Sequence, residues 1–385
     1  MDLPSSDSLP ITKVLLAPDK FKGSLPAAEV AARLSAGLVR AGFDGQIVSV
    51  PVADGGDGTI DAAVAAGFKR VDVPATGPTG QPVTASFALR DGVAVIEAAQ
   101  ACGLVLLPPG EFAPLTATTR GVGELIRAAA GLGATRIVLG VGGSATTDGG
   151  AGLLQALGAR LTDSAGQELP PGGAALSRLA ALDLSGLADL SAVEFQLASD
   201  VDNPLLGPSG AAAVYGPQKG ASPQDVTVLE AGLARWADVA EAAVPGGPAR
   251  DAAGAGAAGG LGFAALLFLG ARMRPGIELL LELASFGTRL DGAGLVITGE
   301  GSLDEQTLRG KAPVGVVRAV AAHDPGLPVI AVAGRRALTA DELHGAGIAA
   351  AYALTDIEPD IARCIADAGP LLERLAGQVA ADWLG

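Results

Sequence analysis

Four short segments place carboxylates beside glycines directly after apolar runs. They are Asp54–Thr59, Gly142–Gly150, Ser199–Asn203 and Thr298–Glu305. In open α/β sheets, ligands bind at the carboxyl ends of the strands, and glycine lets a phosphate approach the backbone N–H groups of the following helix. Each segment alone is equally typical of turns and helix caps, which use the same residue types. Four segments of one kind favour a binding site for an anionic ligand.

Lysine is the less common cation in this chain, with 6 Lys against 20 Arg. Four of the six lie in or beside glycine-containing turns near predicted helix starts: Lys20, Lys22, Lys219 and Lys311. A compact ammonium suits contacts with phosphate and carboxylate. Lysine is also ordinary in exposed turns, but the loop around Lys20 and Lys22 favours a binding role for these two.

This set of Asp, Lys, Gly and Ser/Thr residues is compatible with phosphoryl transfer. That reaction needs a carboxylate-held metal, cations on the transferring group and a carboxylate near the attacking hydroxyl. With only His323 and His344 in the chain, a Ser-His-Asp triad or a multi-histidine zinc site is hard to build. A participating metal should be a hard, oxygen-ligated ion such as Mg²⁺.

Two nucleotide-binding motifs do not explain the site. No G-x-x-x-x-G-K-[ST] loop occurs, and the G-x-G-x-x-G match at Gly254–Gly259 does not follow a predicted strand. An ATP site, if present, is of another kind.

Bulk properties exclude several partners. A net charge of -15 argues against a general electrostatic grip on nucleic acid or anionic lipid. The longest apolar stretch, Leu261–Ala271, is too short to span a bilayer. The N-terminus, with Asp2 and Asp7, has no apolar core typical of a secretory signal. We therefore expect a cytoplasmic protein without nucleic-acid or membrane partners, in which Cys102 and Cys364 are reduced thiols.

The elements that must position these residues follow a strand–loop–helix rhythm near both ends of the chain. The predicted strands are Lys13–Ala17, Gln46–Val52, Val83–Leu89, Val93–Ala98, Ala134–Val141, Val193–Ala198, Gly294–Thr298, Pro328–Ala333 and Ile348–Leu354. The predicted helices include Leu25–Ala41, Ala312–Ala322 and Asp360–Leu384. Asp91-Gly92 predicts a hairpin in the middle of the chain.

This rhythm predicts an α/β fold with two domains. A Rossmann-like parallel-sheet domain would be built from both termini, residues 1–58 plus 288–385. A second α/β domain, residues 59–287, would be inserted, with a cleft between the two. Ala242–Gly260, rich in Gly, Ala and Pro, is predicted to be a mobile loop.

Several blocks in one order resemble the glycerate kinase family of bacterial glycolate, glucarate and glyoxylate pathways. The blocks are Ala17–Ser24, Asp54–Thr59, Gly142–Gly150, Asp200–Pro204, Tyr215–Gly220 and Thr298–Thr307. The resemblance spans nearly the whole chain, from about Ile11 to the last helix. It implies phosphorylation of D-glycerate by ATP with Mg²⁺, at the 2-hydroxyl, on a two-domain α/β fold.

The roles of single residues are our own hypotheses. Asp200 is expected to orient the attacking hydroxyl as the catalytic carboxylate, together with Lys20. Lys20, Lys22, Ser24 and Asp57 are expected to bind the substrate. The nucleotide phosphates are assigned to Gly142, Gly143, Ser144, Lys219 and Lys311. Asp54, Asp202, Glu300 and Asp304 are expected to reach Mg²⁺.

Other readings stay open at this point. The enzyme could be a glycerate 3-kinase or a kinase of another small hydroxy acid. It could instead be a nicotinamide-dependent oxidoreductase, although the misplaced glycine motif and the shortage of histidine weaken that hypothesis. A non-catalytic sensor of a small acid is the third alternative.

Overall fold

The computed structural model describes residues 10–244, 249–308 and 310–385. Within these ranges the strands are β1 Lys13–Pro18, β2 Gln46–Ser49, β3 Lys69–Thr76, β4 Pro82–Arg90, β5 Val93–Glu97, β6 Arg136–Gly140, β7 Arg160–Thr162, β8 Ala181–Asp183, β9 Glu194–Ala198, β10 Arg272–Arg274, β11 Leu295–Leu303, β12 Val329–Arg336 and β13 Ala350–Ala353. The α-helices are α1 Ala27–Arg40, α2 Thr59–Ala65, α3 Ala99–Cys102, α4 Arg120–Gly131, α5 Ala151–Leu157, α6 Ala211–Tyr215, α7 Pro223–Ala243, α8 Ala257–Phe268, α9 Gly276–Leu283, α10 Phe286–Leu290, α11 Glu305–Leu308, α12 Ala312–His323, α13 Ala340–Gly345, α14 Ile361–Ala366 and α15 Ala368–Trp383.

The chain divides into two compact units. Unit 1 comprises the described residues of Met1–Asp54, Asp61–Gly67 and Ile277–Gly385, and unit 2 comprises those of Gly55–Ile60 and Phe68–Gly276. The α/β fold class is confirmed: among the described residues, helices accompany a five-stranded sheet, a six-stranded sheet and the two-stranded sheet β7-β8. The domain boundaries at 58/59 and 287/288 stay a prediction.

Unit 1 contains a five-stranded parallel sheet in the order β13-β12-β11-β1-β2. Alternate side chains of β1 enter different cores, because successive residues of a strand point to opposite faces. Val14 and Leu16 join the core that contains α1 and α15. Leu15 and Ala17 join the core that contains α9, α10 and α12. Both faces of the sheet are thus covered by helices, which explains why its central strands are continuously apolar.

Unit 2 contains a six-stranded mixed sheet in the order β10-β9-β6-β5-β4-β3. Strands β5, β6, β9 and β10 are parallel, whereas β3, β4 and β5 pair antiparallel. The predicted hairpin is confirmed: Asp91 and Gly92 both have positive φ, 48° and 76°, as a two-residue type I′ turn requires. The parallel part of this sheet aligns the carboxyl ends of β5, β6 and β9.

Several element predictions need correction. The strand predicted over Gln46–Val52 ends at Ser49, and the strand predicted over Gly294–Thr298 continues to Leu303. The single closing helix Asp360–Leu384 is two helices, α14 and α15, which meet at Asp367. The apolar pattern continues past Ser49 and Asp367, so these two ends are not visible in it. In β11 the apolar pattern stops at Thr298, and pairing with β12 extends the strand to Leu303.

The long helix α7 was missed, although its start carries a clear signal. Ser222 caps Asp225 N and Asp225 caps Ser222 in return, which is a capping box followed by proline at the first helical position. Of the predicted mobile loop Ala242–Gly260, the final part begins α8 at Ala257, and residues 245–248 lie outside the described residues.

The N-terminal prediction from Asp2 and Asp7 also falls outside the described residues. Among the helices of the described ranges, none combines the length and the apolar character needed to cross a membrane.

Helices α1 and α15 pack closely enough that Gly37 is required at their contact. A Cβ on Gly37 would lie 2.4 Å from the Glu373 carbonyl oxygen and 2.6 Å from the Ala376 Cβ. We expect Gly37→Ala to destabilise unit 1 by about 1–3 kcal/mol through overpacking. Gly377→Ala, on α15 with open space around it, should be neutral or stabilising by up to about 1 kcal/mol. Thermal unfolding followed by circular dichroism checks this, and equal melting temperatures would contradict the packing argument.

Candidate active site

The carboxyl edge of the unit 1 sheet has a topological switch point between β1 and β11. From β1 the chain passes through α1 on one face to β2, and from β11 it passes through α12 on the other face to β12. The two connections diverge above neighbouring strands and leave a crevice there, which is where ligands bind in such sheets. Asp19 and Lys20 directly follow β1, and Glu300 lies in β11 beside them.

Asp19 is a buried carboxyl group at this switch point. It is 7% exposed, accepts a hydrogen bond from its neighbour's amide, Lys20 N, at 2.6 Å, and its Oδ1 lies 3.7 Å from Lys20 Nζ. Burial chiefly raises the pKa of Asp19 to about 7; Lys20 opposes this shift, and the nearby carboxylates of Asp54 and Glu300 contribute to it. Lys20, Asp54 and Glu300 therefore lie within electrostatic reach of one buried group.

Glu300 is a second buried carboxyl group at this edge of the sheet. Its side chain is buried, accepts a hydrogen bond from Thr307 Oγ1, and lies 3.8 Å from Lys311 Nζ. Burial raises the pKa of Glu300, Thr307 and Lys311 counteract this, and Asp304 and Asp54 add to it. The site residues predicted in β11 and at the start of α12 are thus brought together.

Other predicted residues of unit 1 have local partners. Asp304 accepts hydrogen bonds from Gln306 N at 3.0 Å and Ser302 Oγ at 3.1 Å, so it also acts as a helix cap. Ser24 Oγ donates to the Ile365 carbonyl at 3.0 Å, which directs its hydroxyl towards α14. Lys22 is exposed in the same turn.

In unit 2, the turn over Gly55–Ile60 packs on the ends of β6 and β9. A Cβ on Gly142 would lie 2.6 Å from the Gly56 Cα, and one on Gly140 would lie 2.5 Å from the Gly55 oxygen. A Cβ on Gly55 would lie 2.9 Å from the Ala198 oxygen. Three predicted segments, which carry Asp57, Ser144 and Asp200, are therefore adjacent at one edge of the sheet.

The loop after β6 is held from inside by Lys219. The ammonium donates to Ser144 Oγ at 3.1 Å and to the Thr146 carbonyl at 2.6 Å, and the side chain is 2% exposed. Burial lowers the pKa of Lys219 to about 8, against the opposing effects of Cys102 and Asp148. A direct contact of Lys219 with a phosphate stays a prediction; in the structure its donors face the protein's own loop.

Asp148 is the structural anchor of the same loop. Its fully buried carboxyl accepts hydrogen bonds from Thr119 N, Thr119 Oγ1, Gly150 N and Gly152 N at 2.8–3.2 Å. Burial raises the pKa of Asp148, and these hydrogen bonds oppose the shift. Such a carboxyl group, fully enclosed by its donors, supports the loop and does not face a ligand.

The segment after β9 presents exposed carboxylates on a firm turn. Asp200 is exposed and accepts a hydrogen bond from Gly276 N, the first residue of α9, at 3.3 Å. Asp202 is also exposed. Asn203 donates to the Ser209 carbonyl at 2.7 Å and accepts from Tyr215 Oη at 2.6 Å. These contacts are compatible both with a purely structural turn and with a ligand-binding role for this segment.

Sequence reasoning missed Asp19 and Glu97, although both follow a usable rule. Asp19 is the first polar residue after the apolar strand β1, and Glu97 is a charged residue at the end of the apolar strand β5. Charged residues are rarely buried without a partner, so their position at strand ends was a signal. Thr307, which donates to Glu300, had no comparable signal.

The carboxylates of unit 1 fit a magnesium ion that is coordinated partly by the protein and partly by the phosphates of a bound substrate. Among residues 10–244, 249–308 and 310–385, no group of three or more His, Cys, Asp and Glu side chains is arranged to hold a metal. Mg²⁺ is commonly bound through one or two carboxylates together with substrate phosphates and water. Asp54 and Glu300 are hard oxygen donors, and the charge of Asp54 acts on Glu300. These two carboxylates match that mode of binding.

Comparison with known proteins agrees with this chemistry. A model of the glycerate kinase family matches residues 14–384. A glycerate kinase of Bacillus subtilis (strain 168) is 46% identical over 373 residues, which cover 96% of this chain and 97% of that protein. A glycerate 2-kinase of Escherichia coli (strain K12) is 44% identical over 347 residues, 89% of this chain and 90% of that protein.

The fold has a solved relative. A crystal structure assigned as a glycerate kinase 2 from Salmonella typhimurium LT2 superposes with a TM-score of 0.83 at 42% identity. The alignment covers 96% of this chain and 98% of that chain.

The buried ammonium of Lys219 predicts a pH-dependent stability. The unfolded chain holds this proton up to about pH 10.5, whereas the folded chain releases it near pH 8. Between these values the unfolded state binds more protons, so stability rises with pH in this window and the gain is lost as pH falls through about 8. The urea midpoint of the native chain should therefore rise between pH 8 and 10.5 relative to that of Lys219→Met.

Lys69→Met, at an exposed lysine of unit 2, is the matched control and should follow the native pH curve. Parallel curves for the native chain and Lys219→Met would show that burial of this ammonium has no such effect.

Proposed function

The chain belongs to the glycerate kinase family, and we propose that it transfers the γ-phosphoryl group of ATP to the 2-hydroxyl of D-glycerate. As a member it is a phosphotransferase with an alcohol group as acceptor. The observation that carries the proposal is the family match along residues 14–384. The 2-hydroxyl is supported by the name of the Escherichia coli relative, a glycerate 2-kinase. This family membership leaves no support for the oxidoreductase or the non-catalytic sensor.

In the proposed reaction the glycerate hydroxyl oxygen attacks the γ-phosphorus. A new bond forms between that oxygen and phosphorus, the bond from phosphorus to the β,γ-bridging oxygen breaks, and ADP leaves with the electron pair. The hydroxyl proton passes to Asp200, whose exposed carboxylate is steadied by Gly276 N. Lys20 offers positive charge beside the buried Asp19, and this charge would stabilise the transferring group.

The anionic ligands are assigned to local donors, because a chain with net charge -15 repels anions at long range. Lys20, Lys22 and Ser24 are proposed to bind glycerate, and Asp57 to accept hydrogen bonds from its hydroxyl groups. Gly142, Gly143 and Ser144 are proposed to donate to the nucleotide phosphates, and Lys219 and Lys311 are the cations that we also assign to them. Lys219 supports this through its hydrogen bond to Ser144.

We propose that carboxylate side chains would hold a magnesium ion bound to the nucleotide. The carboxylates that we assign to it are those of Asp54, Asp202, Glu300 and Asp304. The bound ion would neutralise phosphate charge. We also propose a cytoplasmic location, which suits the free thiols of Cys102 and Cys364.

The direct test is a coupled assay of ADP release from ATP with D-glycerate. We expect turnover that requires D-glycerate and Mg²⁺, and NMR of the product should show phosphate on the 2-hydroxyl. A 3-phosphate product would identify a 3-kinase, and faster turnover of another small hydroxy acid would identify a different substrate. Absence of ADP release with every hydroxy acid would contradict the proposed activity.

The proposed base is tested by Asp200→Asn. The amide keeps an oxygen that can accept from Gly276 N, so the fold should be retained, but it cannot take the hydroxyl proton. We expect kcat to fall by orders of magnitude, on the order of 10²–10⁴ for a lost general base. Asp183→Asn, at an exposed turn of unit 2, should leave kcat unchanged. Near-normal turnover of Asp200→Asn would remove it as the base.

A further inference from the structure

Glu97 is a buried carboxylate that none of the proposed roles uses. It is the last residue of β5 and is 1% exposed. Its Oε1 accepts a hydrogen bond from Gly58 N and its Oε2 accepts one from Ile60 N, both at 3.3 Å. A buried carboxylate is costly unless its oxygens are bonded. The two oxygens of Glu97 therefore hold two backbone amides of the Gly55–Ile60 segment, at the point where its turn passes into α2.

The opposite side of this turn is fixed by backbone packing. Gly55 and Gly58 have φ values of 89° and 91°, a region that side-chain-bearing residues rarely adopt. The turn lies against Gly142, just after β6, and against Ala198, the last residue of β9. Glu97 completes this support from β5, the next strand of the same sheet.

Asp57 lies in the middle of this turn, directly before Gly58. The direction in which Asp57 projects depends on the backbone of Gly56 and Gly58, neither of which has a side chain that could hold it by packing. The hydrogen bond from Gly58 N to Glu97 is thus adjacent to the side chain to which we assign glycerate binding.

We infer that Glu97 is a positioning residue for glycerate: it holds the Gly55–Ile60 turn so that Asp57 meets the substrate in a fixed position. This inference rests on the proposed function, which supplies the role of Asp57. Glu97 itself is buried and need not touch the substrate.

Glu97→Gln is the sharpest variant. The amide keeps one acceptor oxygen but turns a donor towards the second backbone N–H, so one of the two hydrogen bonds is lost. We expect KM for D-glycerate to rise about tenfold, in line with one lost bond to a charged group, while KM for ATP stays within about twofold. The variant should still fold, with a melting temperature lowered by a few degrees because one buried N–H group loses its acceptor.

A double-mutant cycle tests the route of the effect. If Glu97 acts through Asp57, Glu97→Gln should add little to the defect of Asp57→Asn, whereas independent sites give multiplied effects. Glu124→Gln is the matched control, because Glu124 also accepts two hydrogen bonds in unit 2, from Thr76 N and Oγ1 at 2.7 and 2.9 Å. Its KM values should be native.

Several outcomes would overturn the inference. Multiplied effects of the two substitutions on the KM for D-glycerate would overturn it. A lower melting temperature and a lower kcat, with both KM values unchanged, would also overturn it, because a purely structural role predicts that pattern. If Glu97→Gln does not fold, Glu97→Asp, which keeps the charge, replaces it in the same cycle. Native-like glycerate KM in that variant would count against the inference equally. Failure of the native chain to phosphorylate D-glycerate would instead defeat the proposed function.

Discussion

The close approach of two backbone segments at Gly56 and Gly142 is the constraint on which the candidate site of unit 2 depends. A side chain on Gly142 would collide with the Gly56 Cα. Because Gly142 has no side chain, the turn that carries Asp57 can lie against the loop that carries Ser144. The same turn also contacts the end of β9 at Ala198, just before Asp200. Main-chain packing, rather than any pair of charged side chains, brings these three segments to one edge.

Around this edge, buried polar groups set the shape of the loops. Lys219 and Asp148 are enclosed, and each bonds to backbone atoms of the 142–150 loop or of its neighbours. Glu97 does the same for the adjacent turn. Removing the partner of such a buried side chain leaves a buried charge without a hydrogen bond. This costs more free energy of folding than the loss of an exposed ion pair. The loops are therefore expected to keep one conformation, as a site for small anions requires.

In unit 1 the buried polar groups at the edge of the sheet are carboxyl groups with lysines beside them. Its carboxyl groups at the switch point, Asp19 and Glu300, are both buried and both have raised pKa values, chiefly through burial. The ammonium groups of Lys20 and Lys311 lie beside these carboxyl groups and offset their negative charge. This edge therefore holds carboxyl groups and ammonium groups side by side.

The sequence by itself determined the rhythm of strands and helices, the hairpin at Asp91-Gly92 and the residue types of the loops, because these depend on local periodicity and turn chemistry. It also carried the family blocks. Only the tertiary structure decided that Lys219 is enclosed, that Ser24 turns towards α14, and that Asp19 and Glu97 are buried. Burial and hydrogen-bond partners depend on residues that are distant in the chain, such as Lys219 and Ser144, and no local pattern records which distant residue will be the neighbour.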